Sequence, residues 1–199
     1  MRNIAILILA AGSASRMGAI KQLLPYKNST LLQIVLKNAL GSKANRVFCV
    51  LGASSEVIKK ETKMDTVTFI ENPNWESGLS SSIVAGMEYL NSLQEQVDAV
   101  LILLADQPHV DSNYINKLID LFNNNTDKIM ASTYSNKKGV PAIFPSCSFE
   151  NLMKLEGDKG AKAFLNSPNS NIISFELNSS DILKDIDTPQ DYEQILKNS

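Results

Sequence analysis

Short apolar runs alternate with amphipathic stretches along most of this 199-residue chain. The apolar runs have the length and β-branched content of buried strands, and they cover Asn3–Leu9, Arg46–Leu51, Val67–Ile70, Ala99–Leu104, Ile129–Ser132, Val140–Phe144 and Ile172–Phe175. The other stretches repeat apolar residues at helical spacing, and they cover Leu31–Leu40, Ser54–Thr62, Leu79–Leu93, Ser112–Phe122, Phe149–Leu155, Ala161–Leu165 and Thr188–Leu196. This alternation predicts an α/β fold of three layers, a mostly parallel sheet with helices on both faces.

No linker, repeat or low-complexity tract divides the chain, so we predict a single domain over residues 1–199. One segment breaks the regular alternation, because Gly139, Pro141 and Pro145 interrupt it. We expect residues around 135–165 to form an excursion over the edge of the sheet where ligands bind.

Charge and cysteine content narrow the class of protein. The 19 basic and 21 acidic side chains give a net charge of −2, whereas proteins that bind nucleic-acid polymers usually carry a basic surplus. Cys49 and Cys147 form neither a metal motif nor a disulfide framework, and Cys49 lies within an apolar run.

The apolar run after Arg2 suits a buried strand better than a secretory signal, and no run has the roughly 18 apolar residues of a membrane span. We therefore expect a cytoplasmic protein with neither nucleic acid nor membrane as a partner.

Very small residues follow the first predicted strand, in the stretch LAAGSASRMGAIK from Leu9 to Lys21. Backbone N–H groups without side-chain bulk can face phosphate oxygens, while Arg16 offers a planar fork and Lys21 a point charge. The alternative is an ordinary glycine turn, since the stretch matches neither G-x-G-x-x-G nor G-x-x-x-x-G-K-[ST]. Phosphate binding by this loop predicts nucleotide contacts from Leu9, Ala10, Ala11, Gly12, Ser13, Arg16 and Lys21.

A carboxylate ends the apolar strand in VLILLADQP, at Asp106. An acidic group there is unfavourable unless it binds a metal or is well hydrogen-bonded, and oxygen ligands suit Mg²⁺. A turn or helix-capping aspartate is the alternative, although Asp111 is better placed to cap the next helix. We therefore predict Asp106 to be a metal ligand.

The stretch LAAGSASRMGAIKQLLP resembles the signature loop of the MobA-like NTP transferase family, the nucleotidyltransferases related to molybdenum-cofactor guanylyl- and cytidylyltransferases. Later segments resemble that family's motifs in the same order: NPNWESGLSSSIVAG from Asn72, ADQPHV from Ala105, GVPAIFP from Gly139, GDKGAK from Gly157 and DIDTPQDY from Asp185. Three positions depart from its usual pattern: Ala105 replaces a glycine, Lys162 replaces an arginine, and the turn after Pro25 lacks glycine. The resemblance implies a Rossmann-like fold of the nucleotide-diphospho-sugar transferase type. It also implies transfer of a nucleoside monophosphate to a phosphorylated acceptor.

The resemblance also implies roles for individual residues. Lys21, Arg16 and Asp106 would be catalytic, and Asp106 and Asp187 would hold Mg²⁺ or, alternatively, Mn²⁺. Asp187 precedes Thr188 and Pro189, which predict a helix start, so its alternative is a carboxylate near a helix cap. Further nucleotide contacts would come from Asn72, Gly78, Ser80 and Ser82, and the alternative for Gly78 to Ser82 is an ordinary helix N-terminus. Trp75 fits either stacking or packing.

The acceptor side is implied by resemblance alone, with Gly139, Pro141, Asp158, Lys159 and Lys162 as its contacts. A capped helix start is the alternative for the last three. Ala11 stands where the guanylyl branch has a second glycine, which favours CTP over GTP, and the family's acceptor is molybdopterin, with a molybdenum enzyme as possible recipient of the product. The alternatives are a sugar- or polyol-phosphate cytidylyltransferase, a non-catalytic molybdenum-cofactor delivery protein and an NAD-binding oxidoreductase. His109 is not expected to be a general base, because an ionised phosphate needs none.

Overall fold

The computed structural model describes residues 2–13, 17–134, 137–167, 171–176 and 180–197. Its strands are β1 Ile4–Leu9, β2 Pro25–Tyr26, β3 Ser29–Thr30, β4 Arg46–Leu51, β5 Thr68–Glu71, β6 Ala99–Leu104, β7 Ile129–Tyr134, β8 Lys137–Pro145 and β9 Ile172–Phe175. Its α-helices are α1 Leu31–Leu40, α2 Ser55–Thr62, α3 Leu79–Asn91, α4 Ser112–Asn123, α5 Phe149–Met153, α6 Lys162–Leu165 and α7 Pro189–Lys197. Short 3-10 turns cover Lys21–Leu23, Trp75–Ser77, Ser146–Ser148 and Ser180–Leu183.

Seven strands form the main sheet in the order β5-β4-β1-β6-β8-β7-β9, while β2 and β3 form a separate hairpin. Parallel pairing joins β1 to β4 and β6, β4 to β5, and β7 to β9. Only β8 runs against the other strands of this sheet. The mostly parallel sheet predicted from the alternating pattern is confirmed.

Both faces of the sheet are covered by helices, because successive side chains of a strand point to opposite faces. Ile6 of β1 packs in one apolar cluster with residues of α1, α2 and α4, and Leu7 packs in another with residues of α3, α5 and α6. Cys49 on β4 is fully buried, as its apolar surroundings predict. The predicted three-layer arrangement is confirmed.

The expected excursion around 135–165 is corrected by the structure. β8 lies inside the sheet between β6 and β7, and α5 and α6 pack on one face of it. The physical reason is that the apolar run from Val140 to Phe144 pairs on both sides, so it is buried as a strand instead of crossing the edge. Only the start of β8 lies at the carboxyl edge of the parallel strands, because β8 runs in the opposite direction.

Residues near the end of the described chain pack against β2 and the start of α1. Ile186 and Ile195 form a small buried cluster with Tyr26 and Leu31. Thr188 begins α7 as predicted: its Oγ1 accepts the backbone N–H of Asp191 at 3.2 Å, and its own N–H donates to Asp191 Oδ2 at 3.0 Å. In the described ranges, no helix is both long and apolar enough to cross a membrane.

The N-cap of α4 provides a test of this fold. Asp111 Oδ1 accepts the backbone N–H of Tyr114 at 2.8 Å, so the predicted capping role is confirmed. Asp111→Ala is expected to lower the free energy of unfolding by about 1 kcal/mol, because it leaves a helix N–H without this partner. Asp111→Ser, which keeps a capping oxygen, is the control and should lose much less in urea unfolding. Equal stability of the wild type and Asp111→Ala would contradict the capping role.

Candidate active site

A cleft of about 500 Å³ opens at the carboxyl ends of β1 and β6. The chain adds β4 and β5 on one side of β1 and then places β6 on the other. Loops that leave two such strands diverge, and ligands of open α/β sheets bind in the resulting crevice. The cleft therefore lies where this topology predicts a ligand.

Most of the predicted site residues meet in this cleft. Its lining includes Leu9, Ala10, Ala11, Gly12, Ser13, Lys21, Gly78, Ser82, Asp106, Asp158 and Asp187. Met17, Gln22, Trp75, Glu76, Leu79, Leu104 and Ala105 complete the wall. Arg16, predicted to be catalytic and to bind the nucleotide, lies outside the described residues.

The loop after β1 is fixed by hydrogen bonds to its carbonyl groups. Gln22 Nε2 donates to Ala10 O at 2.7 Å and to Gly12 O at 3.0 Å, and the backbone N–H of Ala53 donates to Ala11 O at 3.1 Å. These donors offset the negative ends of three consecutive peptide groups. A phosphate can therefore approach this backbone with less repulsion.

Lys21 lies between the two carboxylates predicted to hold a metal. Its Nζ is 2.7 Å from Asp106 Oδ2 and 3.1 Å from Asp187 Oδ1. Its side chain is 17% exposed. Burial alone would lower the pKa of Lys21, but the two carboxylates outweigh that effect and raise the pKa above its ordinary value. Lys21 is therefore a positive charge at neutral pH.

Asp106 and Asp187 also suit a divalent cation whose remaining coordination positions are filled by a bound ligand. Asp106 Oδ1 is buried and has no hydrogen-bond partner, which leaves one ligand oxygen available beside Lys21. Across the described residues, no three His, Cys, Asp or Glu side chains converge on a common metal position. Mg²⁺ usually binds one or two carboxylates and completes its shell with water and substrate phosphates. Asp106 and Asp187 are suited to that mode of binding.

A short connection carries Asp187 to the cleft. The buried side chain of Gln107 donates through Nε2 to Asp185 Oδ1 at 2.8 Å and to Leu183 O at 3.2 Å. The backbone N–H of Ile186 donates to Asp106 O at 3.1 Å. The surroundings of the Asp185 carboxyl raise its pKa to about 6, first through partial removal from water and then through the charge of Asp106.

Trp75 forms one wall of the cleft against Gly52, the residue that follows β4. A Cβ on Gly52 would lie 2.4 Å from Trp75 Cβ and 2.8 Å from Ala11 O. Both are far closer than real side-chain contacts, so only glycine lets the tryptophan turn pack on the loop after β1. Trp75 thus serves packing and lines the cleft at the same time.

Two predicted nucleotide contacts do not line the cleft. Ser80 is fully buried, and its Oγ donates to Glu156 O at 3.1 Å. Asn72 is also buried, and its Nδ2 donates to Ser81 Oγ at 2.9 Å and to Ser82 Oγ at 3.1 Å. Both side chains are directed into the protein by these bonds, so they stabilise the start of α3 and position Ser82. Their assignment as direct nucleotide contacts stays a prediction.

The predicted acceptor residues are not all at the same place. Asp158 lines the cleft, and the exposed Lys159 follows it directly. Lys162, also exposed, begins α6. Pro141 is buried within the sheet, where its carbonyl accepts the Ser132 hydroxyl at 2.6 Å, and it does not line the cleft. Gly139 pairs with Ser132 of β7 and does not line the cleft.

Three residues of this site were missed by sequence reasoning. Gln22 and Gln107 hold the two loops that carry the site, and Gly52 admits Trp75. A glycine directly after β4 was the one local signal, because it stands where a ligand-binding turn begins in such sheets. His109, which was not expected to act, contacts the edge of the Tyr26 ring with centroids 6.1 Å apart and does not line the cleft.

Comparison with known proteins gives matches along nearly the whole chain. A family model described as the MobA-like NTP transferase domain matches residues 6–172. The chain is 29% identical to the purine catabolism protein PucB of Bacillus subtilis, over 94% of this chain and 93% of that protein. It is 25% identical to nicotine blue oxidoreductase of Paenarthrobacter nicotinovorans, over 95% and 94%. It is 27% identical to molybdenum cofactor cytidylyltransferase of Escherichia coli, over 96% and 95%.

A solved structure supports the same fold. The crystal structure of Rv0371c from Mycobacterium tuberculosis H37Rv matches with a TM-score of 0.84 at 25% identity, and the match covers 98% of each chain. The predicted fold class is thus confirmed by the strand order and by this match.

The position of Gly12 tests the phosphate-binding loop. A Cβ on Gly12 would meet no atom within 4 Å, so Gly12→Ala should fold with an unchanged melting temperature. The added methyl would occupy open space beside the loop, and we expect it to weaken triphosphate binding by about tenfold, or ~1.4 kcal/mol. Isothermal titration with CTP and Mg²⁺ measures this change. Unchanged affinity would show that no phosphate approaches this backbone.

Proposed function

Because this chain belongs to the MobA-like NTP transferase family, we propose that it transfers CMP from CTP to a phosphorylated small-molecule acceptor and releases pyrophosphate. The proposed acceptor is molybdopterin, with or without its metal. The observation that carries this proposal is the meeting of the glycine loop, Lys21, Asp106 and Asp187 in one cleft.

The reaction needs positioning and charge neutralisation more than a protein nucleophile. A phosphate oxygen of the acceptor attacks the α-phosphorus of CTP and forms the new P–O bond. The bond from the α-phosphorus to the bridging oxygen breaks, and that oxygen leaves with pyrophosphate. Lys21, the one cation among the described residues that line the cleft, stabilises charge on the α-phosphate. The backbone after β1 orients the phosphates.

The charge of the cleft supports a requirement for a divalent cation. Among the described residues that line it, Lys21 is the single cation, whereas Glu76, Asp106, Asp158 and Asp187 are acidic. A triphosphate would be repelled by this excess of negative charge. Mg²⁺ held by Asp106 and Asp187 would neutralise phosphate charge and polarise the α-phosphate.

The choice of CTP rests on the residue at position 11 and on one relative. Ala11 is buried and lines the cleft, and it stands where the guanylyl branch of the family has a second glycine. The relative named molybdenum cofactor cytidylyltransferase matches over 96% of this chain. A methyl group at this position reduces the space beside the loop and favours the smaller pyrimidine base.

The acceptor side carries positive charge near the cleft. Asn166 Nδ2 donates to Lys138 O at 2.9 Å and to Lys162 O at 2.7 Å, which joins the start of β8 to α6. Lys159 lies three residues before Lys162, and it directly follows Asp158 in the wall of the cleft. Basic side chains on these neighbouring segments suit an anionic acceptor.

An NAD-dependent oxidoreductase is a second candidate, because one relative over 95% of the chain is named nicotine blue oxidoreductase. The glycine pattern of dinucleotide-binding loops is missing from the sequence after β1, however, and no acidic residue ends β4 to bind a ribose. Oxidation of NADH or NADPH, followed at the absorbance of the reduced nicotinamide with candidate dyes, tests this candidate.

Transfer from labelled nucleotides tests the proposal directly. The purified protein is incubated with Mg²⁺, molybdopterin and each of the four triphosphates labelled at the α-phosphate. Labelled dinucleotide product is expected with CTP at a rate well above that with GTP. A panel of sugar and polyol phosphates tests the alternative acceptors, and tight molybdopterin binding without any transfer would indicate a delivery protein instead.

Substitution of Lys21 tests the proposed catalytic group. Lys21→Met should lower kcat about 10²-fold or more, because it removes a preorganised charge at the α-phosphate. Lys43→Met is the matched control: Lys43 is also ion-paired, to Asp120, but both side chains are more than half exposed and neither lines the cleft. Turnover of Lys21→Met within a few-fold of the control would exclude this role.

Removal of divalent cations provides a separate test. Transfer should stop in excess EDTA and return when Mg²⁺ or Mn²⁺ is added, because the acidic cleft repels an uncomplexed triphosphate. Full activity in EDTA would contradict a metal held by Asp106 and Asp187.

A further inference from the structure

The segment between Leu183 and Asp187 is tied to the end of β6 at several points. Gln107, 1% exposed, binds this segment twice through its side-chain amide, at Leu183 O and Asp185 Oδ1. The backbone N–H of Ile186 binds Asp106 O. The segment has no regular secondary structure after the turn that ends at Leu183, so these bonds define its path.

The chain is anchored on both sides of Asp187. Ile186 is fully buried in the cluster that includes Tyr26 and Ile195, which anchors the backbone immediately before Asp187. On the far side, Thr188 begins α7. Asp187 projects from this anchored point to within 3.1 Å of Lys21 Nζ, while its side chain stays 54% exposed. Its position thus depends on the anchored backbone and on the bond to Lys21 rather than on packing of the side chain.

We propose that Asp185 is a positioning residue for Asp187: through its bond to Gln107, it sets the separation of the two metal-binding carboxylates. This inference rests on the proposed function, because it takes Asp106 and Asp187 as the metal ligands. Loss of the Asp185–Gln107 bond leaves the connection held by fewer contacts and lets Asp187 move away from Asp106.

Two observations distinguish positioning from direct ligation by Asp185. Its Oδ1 is already engaged by Gln107 at 2.8 Å. Within the described part of the chain, no trio of potential metal ligands converges, so Asp185 does not join Asp106 and Asp187 around a common point. The carboxylate therefore acts through Gln107 and the backbone.

The test separates the hydrogen bond from the charge. Asp185→Ala removes both, whereas Asp185→Asn keeps an oxygen that can accept from Gln107 and removes only the charge. Mn²⁺ binding is measured by electron paramagnetic resonance in the presence of tripolyphosphate, which supplies phosphate ligands without a nucleoside. Asp185→Ala is expected to raise the Kd for Mn²⁺ about tenfold, as loss of an outer-shell partner does elsewhere. Asp185→Asn should stay within about threefold of wild type, because the bond to Gln107 remains.

Either of two results would overturn the positioning role. Wild-type Mn²⁺ affinity in Asp185→Ala would show that the bond is unimportant, and equal losses in both variants would show that the charge or direct ligation matters instead. Gln107→Met keeps the side-chain length but loses the bonds to both Asp185 and Leu183 O, so it should raise the Kd at least as much as Asp185→Ala and replaces that variant if it does not fold. Because the readout needs neither CTP nor an acceptor, failure of cytidylyl transfer in the wild type would leave this result interpretable.

Discussion

The ammonium group of Lys21, held between Asp106 and Asp187, is the interaction on which the site depends. It joins Lys21, in the turn that follows the loop after β1, to the end of β6, 85 residues away, and to the connection to α7, 166 residues away. A largely buried ammonium is stable only with partners, and removal of one partner leaves an uncompensated charge. The same arrangement places one positive and two negative groups at a single point. That combination is what a metal-bound triphosphate requires: a cation for phosphate and oxygen ligands for metal.

The sheet brings these groups together by simple geometry. β1 and β6 are adjacent and parallel, with Leu9 opposite Leu104, so the chain leaves both strands at the same edge. Each loop relies on a buried glutamine: Gln22 holds the carbonyl groups after β1, and Gln107 holds the connection to Asp187. An amide side chain suits this task, because it binds backbone groups without adding charge to a cleft that already contains several carboxylates.

The sequence predicted the elements whose signal is local and missed those defined by contact between distant segments. Continuous apolar runs identified β1, β4 and β6 to within about a residue, and the oxygen of Asp111 identified the start of α4. The direction of β8 was not predictable, because an apolar run is the same in either orientation and only its neighbours decide. The burial of Asn72 and Ser80 was not predictable for a related reason: a polar residue after a strand or at a helix start looks alike in sequence whether it faces a ligand or a neighbouring segment. Gln107 donates a hydrogen bond to Asp185, 78 residues away in the chain, and no sequence feature near either residue indicates this bond.

Gly78 shows how two walls of the cleft, the turn at Trp75 and the turn that carries Asp158, are coupled. Its φ of +98° is unfavourable for other residues, and a Cβ there would lie 2.1 Å from Asp158 Oδ1 and 2.9 Å from the carbonyl carbon of Gly157. The turn that carries Asp158 is bound to the start of α3 a second time, because the backbone N–H of Ser80 donates to Gly157 O at 3.1 Å. Trp75, on the other side of Gly78, packs on Gly52, which also lies against Ala11 O in the loop after β1. One short segment thus reaches the loop after β1 through Gly52 and the turn that carries Asp158 at Gly78. A shift of either wall of the cleft is therefore transmitted to the other through the same few backbone contacts.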